Sequence, residues 1–157
     1  MSAVEERLAA LGLELPKVAA PVAAYVPAVL DGDRVWTSGQ LPFVDGALPV
    51  TGLVGDGEGL VSPQDAADLA RIAALNAIAA VKSVVGDLDR VTRIVKVVGF
   101  VASHPSFTGQ PAVVNGASLL LGEVFGAAGS HARSAVGVAA LPLGSPVEVE
   151  LIASVAS

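Results

Sequence analysis

Cysteine is absent from this chain, which excludes a disulfide framework, a thiolate nucleophile and any cysteine-built metal site. Charge is scarce as well: charged residues make up 15% where soluble domains average about 25%, against 53% hydrophobic residues. So few charges do not comfortably cover a monomer, and a symmetric homo-oligomer that hides part of the surface is expected. The plain alternative is that small Ala and Val side chains inflate the hydrophobic fraction. Nine Lys and Arg stand against fifteen acidic residues, and only Arg90, Arg93 and Lys96 come near a cluster. Nucleic-acid binding needs a concentrated cationic footprint, so this balance argues against it, and against an anionic membrane surface. Histidine is limited to His104 and His131, too few for most zinc sites. No His-Glu-x-x-His pair, Gly-x-Ser-x-Gly elbow or dinucleotide fingerprint occurs, and no metal or cofactor is expected. The N-terminus, with Glu5, Glu6 and Arg7, lacks the apolar run of a signal or transit peptide, and no apolar stretch long enough to span a membrane is free of charges and turn signals. A soluble cytoplasmic protein is the expectation.

The length of 157 residues suits one domain, residues 1–157, with residues 1–20 as an N-terminal helical extension and linker. Residues 3–12 place Val4, Leu8 and Leu11 on one side of a short amphipathic helix closed by Gly12. Pro16 and Pro21 mark the linker. Val22 to Leu30 reads as a strand, and Asp31-Gly32-Asp33 supplies hairpin chemistry before a second strand from Arg34 to Ser38. Gly52 to Gly59 reads as a loop, because no Lys-Ser or Lys-Thr follows its glycines and Asp56 and Glu58 would repel phosphate. Ser62-Pro63-Gln64-Asp65 combines an N-cap, a proline at the first helical position and an early acid, so a helix should run from there to Gly86. Its face of Ala66, Ala70, Ala73, Ala77, Ala80 and Val84 allows close approach to a sheet. Thr92 to Ser103 alternates as a long central strand, and Pro111 to about Phe125 forms another helix. The order strand, strand, helix, strand, helix, strand, strand indicates an α+β fold with two helices on one face of a mixed sheet.

Beyond Lys96 the chain carries one Lys or Arg, Arg133. It opens an alternating run to Leu141; a turn at Pro142-Leu143-Gly144-Ser145-Pro146 leads to a second, Val147 to Leu151. Two strands joined by a short turn are expected to pair, which would set Arg133 beside Glu148 and Glu150. A guanidinium is the side chain whose planar fork matches a carboxylate bidentately, so this reads as a small-anion site next to a base. The plain alternatives are a solvated strand-end cation and the polar face of an edge strand.

Several segments together are similar to the RidA (YjgF) family, also described as endoribonuclease L-PSP. They are Tyr25 in Ala24-Tyr25-Val26-Pro27-Ala28-Val29, Ser38-Gly39-Gln40 with Pro42, Val114-Asn115, and Arg133-Ser134 with Val136, Val138-Ala139, Leu141-Pro142, Gly144 and Val147-Glu148-Val149-Glu150. They run in order over roughly residues 20–155. The resemblance implies a chorismate-mutase-like fold, a homotrimer with pockets between subunits, and cofactor-free hydrolysis of reactive 2-imino or enamino acids to 2-oxo acids and ammonia. It implies an enzyme acting on C=N bonds, like a 2-iminobutanoate/2-iminopropanoate deaminase. In that scheme Arg133 clamps the substrate carboxylate, Glu148 holds or deprotonates water, and Tyr25 closes over the imine. Ser38 and Gly39 line the pocket through backbone groups, Asn115 braces it, and Ala135 stands where many relatives carry Cys. The stretch from Phe107 to Asn115, the N-terminal helix and the Gly52–Gly59 loop point to a longer branch. Two other functions compete: a metabolite-binding trimer without catalysis, and an endoribonuclease or translation inhibitor, which the acidic balance disfavours.

Overall fold

The structure, a computed structural model, describes residues 1–18 and 24–157. Helix α1 (Ala3–Ala10) begins at a capping box, in which the Ser2 hydroxyl accepts from Glu5 N–H and the Glu5 carboxylate reaches back to the Ser2 N–H. Asp89 anchors the same end, accepting the backbone N–H groups of Ala3 at 2.8 Å and Val4 at 2.9 Å. These bonds hold the Asp89 carboxyl below its ordinary range. An ion pair between Lys82 and Glu5 ties the helix to its neighbour.

Strands β1 (Ala28–Asp31) and β2 (Arg34–Thr37) form the hairpin that Asp31-Gly32-Asp33 predicts. The strand reading of Val22 to Leu30 is shortened at its start, where residues 19–23 lie outside the described residues. Helix α2 (Pro63–Val85) starts as the sequence signals, the Ser62 hydroxyl accepting from Asp65 N–H at 3.1 Å. Its alanine face is buried from Ala66 through Ala80, with Val84 at the margin. Strand β3 (Val91–Ala102) and helix α3 (Gln110–Phe125) follow, then β4 (Ala132–Val138) and β5 (Val147–Val155). Residues Gln110–Gly129 are long and apolar enough to cross a membrane; here Val113, Val114, Ala117, Leu120, Leu121 and Val124 are buried among α2 and the sheet.

The five strands lie in the order β1-β2-β5-β3-β4. One expectation is corrected here: β4 and β5 do not pair. Strand β4 runs parallel to β3, with Val97 opposite Arg133, while β5 inserts antiparallel between β2 and β3. The reason lies in the connections. Parallel neighbours need a crossover of a dozen or more residues, and α3 with its following turn supplies one between β3 and β4. The five-residue turn before β5 carries Leu143 at φ 60°, outside ordinary extended backbone, and it redirects the chain across the end of β3. Strand β5 then takes the middle of the sheet, where Val147, Val149, Leu151, Ala153 and Val155 are all buried.

Both long helices cover one face. Their approach depends on Gly116, where a Cβ would collide with the backbone carbonyl of Ala67. The other face is left open by the helices and mixes exposed apolar side chains with Lys96, Glu148 and Glu150. Val29 and Trp36 are each 50% exposed there, and Val136 is 41% exposed.

Candidate active site

Strand register decides which site residues can meet. Arg133 is opposite Val97, while Glu148 is opposite Phe100. Residues 97 and 100 of one strand point to opposite faces. Arg133 therefore faces the helices and Glu148 faces away, so the expected side-by-side pair does not exist within one chain. Nor is β5 an edge strand: Glu148 and Glu150 project from the middle of the sheet.

The Arg133 group is built on α3. Its Nη1 donates to Asn115 Oδ1 at 2.7 Å and to Ser118 Oγ at 3.2 Å, and its Nη2 donates to the Pro111 carbonyl at 3.3 Å. A guanidinium has five N–H donors in a fixed plane. Three are thus engaged with α3; among the described residues the Nε–H and one Nη2–H are left, the number one bidentate carboxylate accepts. Ala135 lies two residues along the same face, half-buried against the core. Asn115 braces the guanidinium directly. Ser118 also touches His131: its Oγ lies 2.8 Å from Nε2, and His131 Nδ1 lies 2.6 Å from the Gly129 carbonyl. Neither Ser118 nor His131 is marked by sequence pattern. A mid-helix serine and a histidine after a glycine turn have many ordinary explanations, and only the fold brings them to Arg133.

The Glu148 group lies on the far face. Gly39 packs so closely on Glu148 that a Cβ there would overlap the carboxylate. Gln40 fixes this approach by exchanging both backbone hydrogen bonds with Val149, at 2.8 and 3.0 Å. Burial and the neighbouring Glu150 carboxylate push the Glu148 carboxyl above its ordinary range, desolvation being the larger cause. Ser38 ties the preceding loop down: its N–H donates to Pro27 O at 2.8 Å and its hydroxyl to Val26 O at 2.6 Å. That hydroxyl therefore shapes the loop bearing Tyr25. Tyr25 is 59% exposed and borders a cavity of about 580 Å³ shared with Pro27, Gly39, Gln40, Leu41 and Phe43. Asn76 of α2 holds the cavity wall through the carbonyls of Leu41 and Phe43, at 2.9 and 3.2 Å. The sequence signal for these cavity residues is confined to residues 24–29 and the Ser38-Gly39-Gln40 segment; Leu41, Phe43 and Asn76 carry none.

The candidate residues thus fall into two groups, a cation braced on α3 and a carboxylate packed against Gly39, which itself lines the aromatic-bordered cavity. Among the described residues no group of three His, Asp or Glu side chains could hold a metal ion.

Residues 5–155 match the family described as "YjgF/chorismate_mutase-like, putative endoribonuclease". Protein TCP17 of Trypanosoma cruzi is 45% identical over 150 residues, 95% of this chain and 92% of that protein. A crystal structure from Shewanella oneidensis MR-1, with the same endoribonuclease description, superposes with a TM-score of 0.92 at 38% identity, covering 98% of this chain and 100% of that one. Escherichia coli TdcF, solved with bound serine, superposes with a TM-score of 0.63 at 27% identity, over 87% of this chain and 91% of that one. The mixed sheet with two helices on one face is the chorismate-mutase-like fold that the matched segments imply, and this chain belongs to the RidA/YjgF family.

Proposed function

We propose that the protein hydrolyses reactive 2-imino or enamino acids to 2-oxo acids and ammonia, without a cofactor, in pockets formed between copies of the chain. The observation that carries this reading is the division of the site. A guanidinium braced on α3 with two donors free, and a carboxylate packed against Gly39 with its pKa raised by burial, are complementary parts that one chain keeps on opposite faces of its sheet. A second copy brings them together. The uncovered face with its exposed Trp36, Val29 and Val136 supports such an assembly, and a homotrimer is the arrangement the family resemblance suggests.

In this reading the substrate carboxylate binds Arg133 through the Nε–H and the remaining Nη2–H. Each charged hydrogen bond in a sheltered site contributes about 1.5–3 kcal/mol. TdcF was solved with bound serine, a ligand that carries an α-carboxylate of the kind this reading assigns to the substrate. Glu148 takes a proton from water as the water adds to the imine carbon, returns it to the amino nitrogen, and accepts the remaining hydroxyl proton as the C=O forms and the C–N bond breaks. The overall change is imine plus water to 2-oxo acid plus ammonia. Burial, and to a lesser degree Glu150, raises the Glu148 carboxyl, which makes it a stronger base toward that proton than an ordinary carboxylate. Tyr25 and the Gly39 backbone line the substrate's approach, and a protonated imine is electrophilic enough that orientation and one acid–base group suffice.

The test is hydrolysis of 2-iminopropanoate and 2-iminobutanoate, generated in situ by an amino-acid oxidase and followed by competition with a chemical trap. Wild type should accelerate loss of the imine, while Arg133→Ala should not, with the oligomer intact. Equal rates with wild type, Arg133→Ala and no protein would sink the deaminase reading.

A further inference from the structure

We propose that Ser118 and His131 are positioning residues for the Arg133 clamp, with His131 fixing the Ser118 hydroxyl so that its oxygen faces the guanidinium only as an acceptor. This rests on Arg133 as the carboxylate site. The donor directions follow from chemistry. The Gly129 carbonyl only accepts, so His131 Nδ1, 2.6 Å away, carries the proton. In the Nδ1–H tautomer Nε2 is a lone pair, and on this proposal the single O–H of Ser118, 2.8 Å away, is committed to it. What remains on Ser118 Oγ is lone pairs, which receive the Arg133 Nη1–H at 3.2 Å.

The result is a one-directional chain, from guanidinium N–H to hydroxyl, from hydroxyl to imidazole, and from imidazole to a backbone carbonyl. In such a chain each bond polarises the next. Its end is immobile, because Gly129 is buried in the turn after α3 and abuts the Leu121 carbonyl so closely that a Cβ would not fit. Asn115 and Ser118 together take both hydrogens of Nη1, which turns the unengaged Nε–H and Nη2–H outward as a pair. Ser118 is thereby a spacer rather than a nucleophile, since its oxygen already accepts a hydrogen bond from a cation.

The experiment compares Ser118→Ala, His131→Phe, His131→Gln and the double variant Ser118→Ala/His131→Phe. It reads the dissociation constant for 2-oxobutanoate, KM and kcat on the imine, and ¹⁵N NMR of His131 and the Arg133 Nε–H. Each single removal should weaken 2-oxobutanoate about three- to tenfold and raise KM similarly with kcat little changed. The double variant should be no weaker than Ser118→Ala alone, because His131 acts through Ser118. His131→Gln, which keeps an acceptor, should recover most of the loss. Additive losses, or a fall in kcat with no rescue by Gln, would overturn the proposal. The NMR arm stands apart from the function. Should wild type bind no 2-oxo acid, the deaminase reading suffers; an Nε2–H tautomer of His131, or Arg133 exchange unchanged in both variants, refutes the network itself.

Discussion

At the scale of single residues the account turns on two charged groups in unlike surroundings. Arg133 is braced by hydrogen bonds to α3, whereas Glu148 is penalised for carrying its charge, by burial first and by Glu150 second. A carboxyl held above its ordinary value binds its proton more readily in the folded state than in the unfolded one. Its ionisation therefore opposes folding: the effect is absent below the ordinary glutamate value of 4.5, grows as pH rises and is complete above the folded value. Glu148→Gln should accordingly raise Tm by about 1–3 °C at neutral pH, an increase that vanishes as pH falls below the ordinary carboxylate range, while removing turnover. A Tm unchanged or lowered at neutral pH would contradict the burial of a charged Glu148. Arg133 was legible from the sequence because no Lys or Arg accompanies it beyond Lys96. Its supporting Ser118 was not, because a serine inside a helix gives no local signal of the strand that will lie against it.

Secondary-structure elements were legible where the chain itself carries their limits. The Ser62 cap with Pro63, and Gly86 at the far end, bound α2 in both sequence and structure. Alternation marked β3 and β5. Pairing was not legible, since a short turn between two alternating runs favours a hairpin locally, and the competing bond partner of both strands is β3, which neither run reveals. The exchange of neighbours matters for the site because it puts one strand between Arg133 and Glu148. At this scale Gly116 makes a sharp prediction. Its lack of a Cβ lets α3 lie against the Ala67 carbonyl on α2. Gly116→Ala should destabilise the fold by about 1–3 kcal/mol, despite the higher helix propensity of alanine, because backbone must move to make room. A urea midpoint equal to or above that of wild type would show that the helices are not in that close contact.

For the whole molecule, low charge and an uncovered sheet face bearing exposed apolar side chains describe the same fact from two sides. A sheet covered by helices on one face alone leaves Trp36 and its neighbours against water unless another copy covers them. The composition leads to the expectation of a partner, and on the proposed reading the register of β3, β4 and β5 says what that partner would supply. Mixing two inactive variants tests that claim most directly. Arg133→Ala keeps Glu148, and Glu148→Gln keeps Arg133. Unfolded together in equal amounts and refolded, they should form mixed assemblies in which about a quarter of the sites between subunits carry both intact groups. Imine hydrolysis should return to about a quarter of the wild-type rate, while each variant refolded alone stays inactive. Mixed assemblies as inactive as their parents would contradict a site shared between copies.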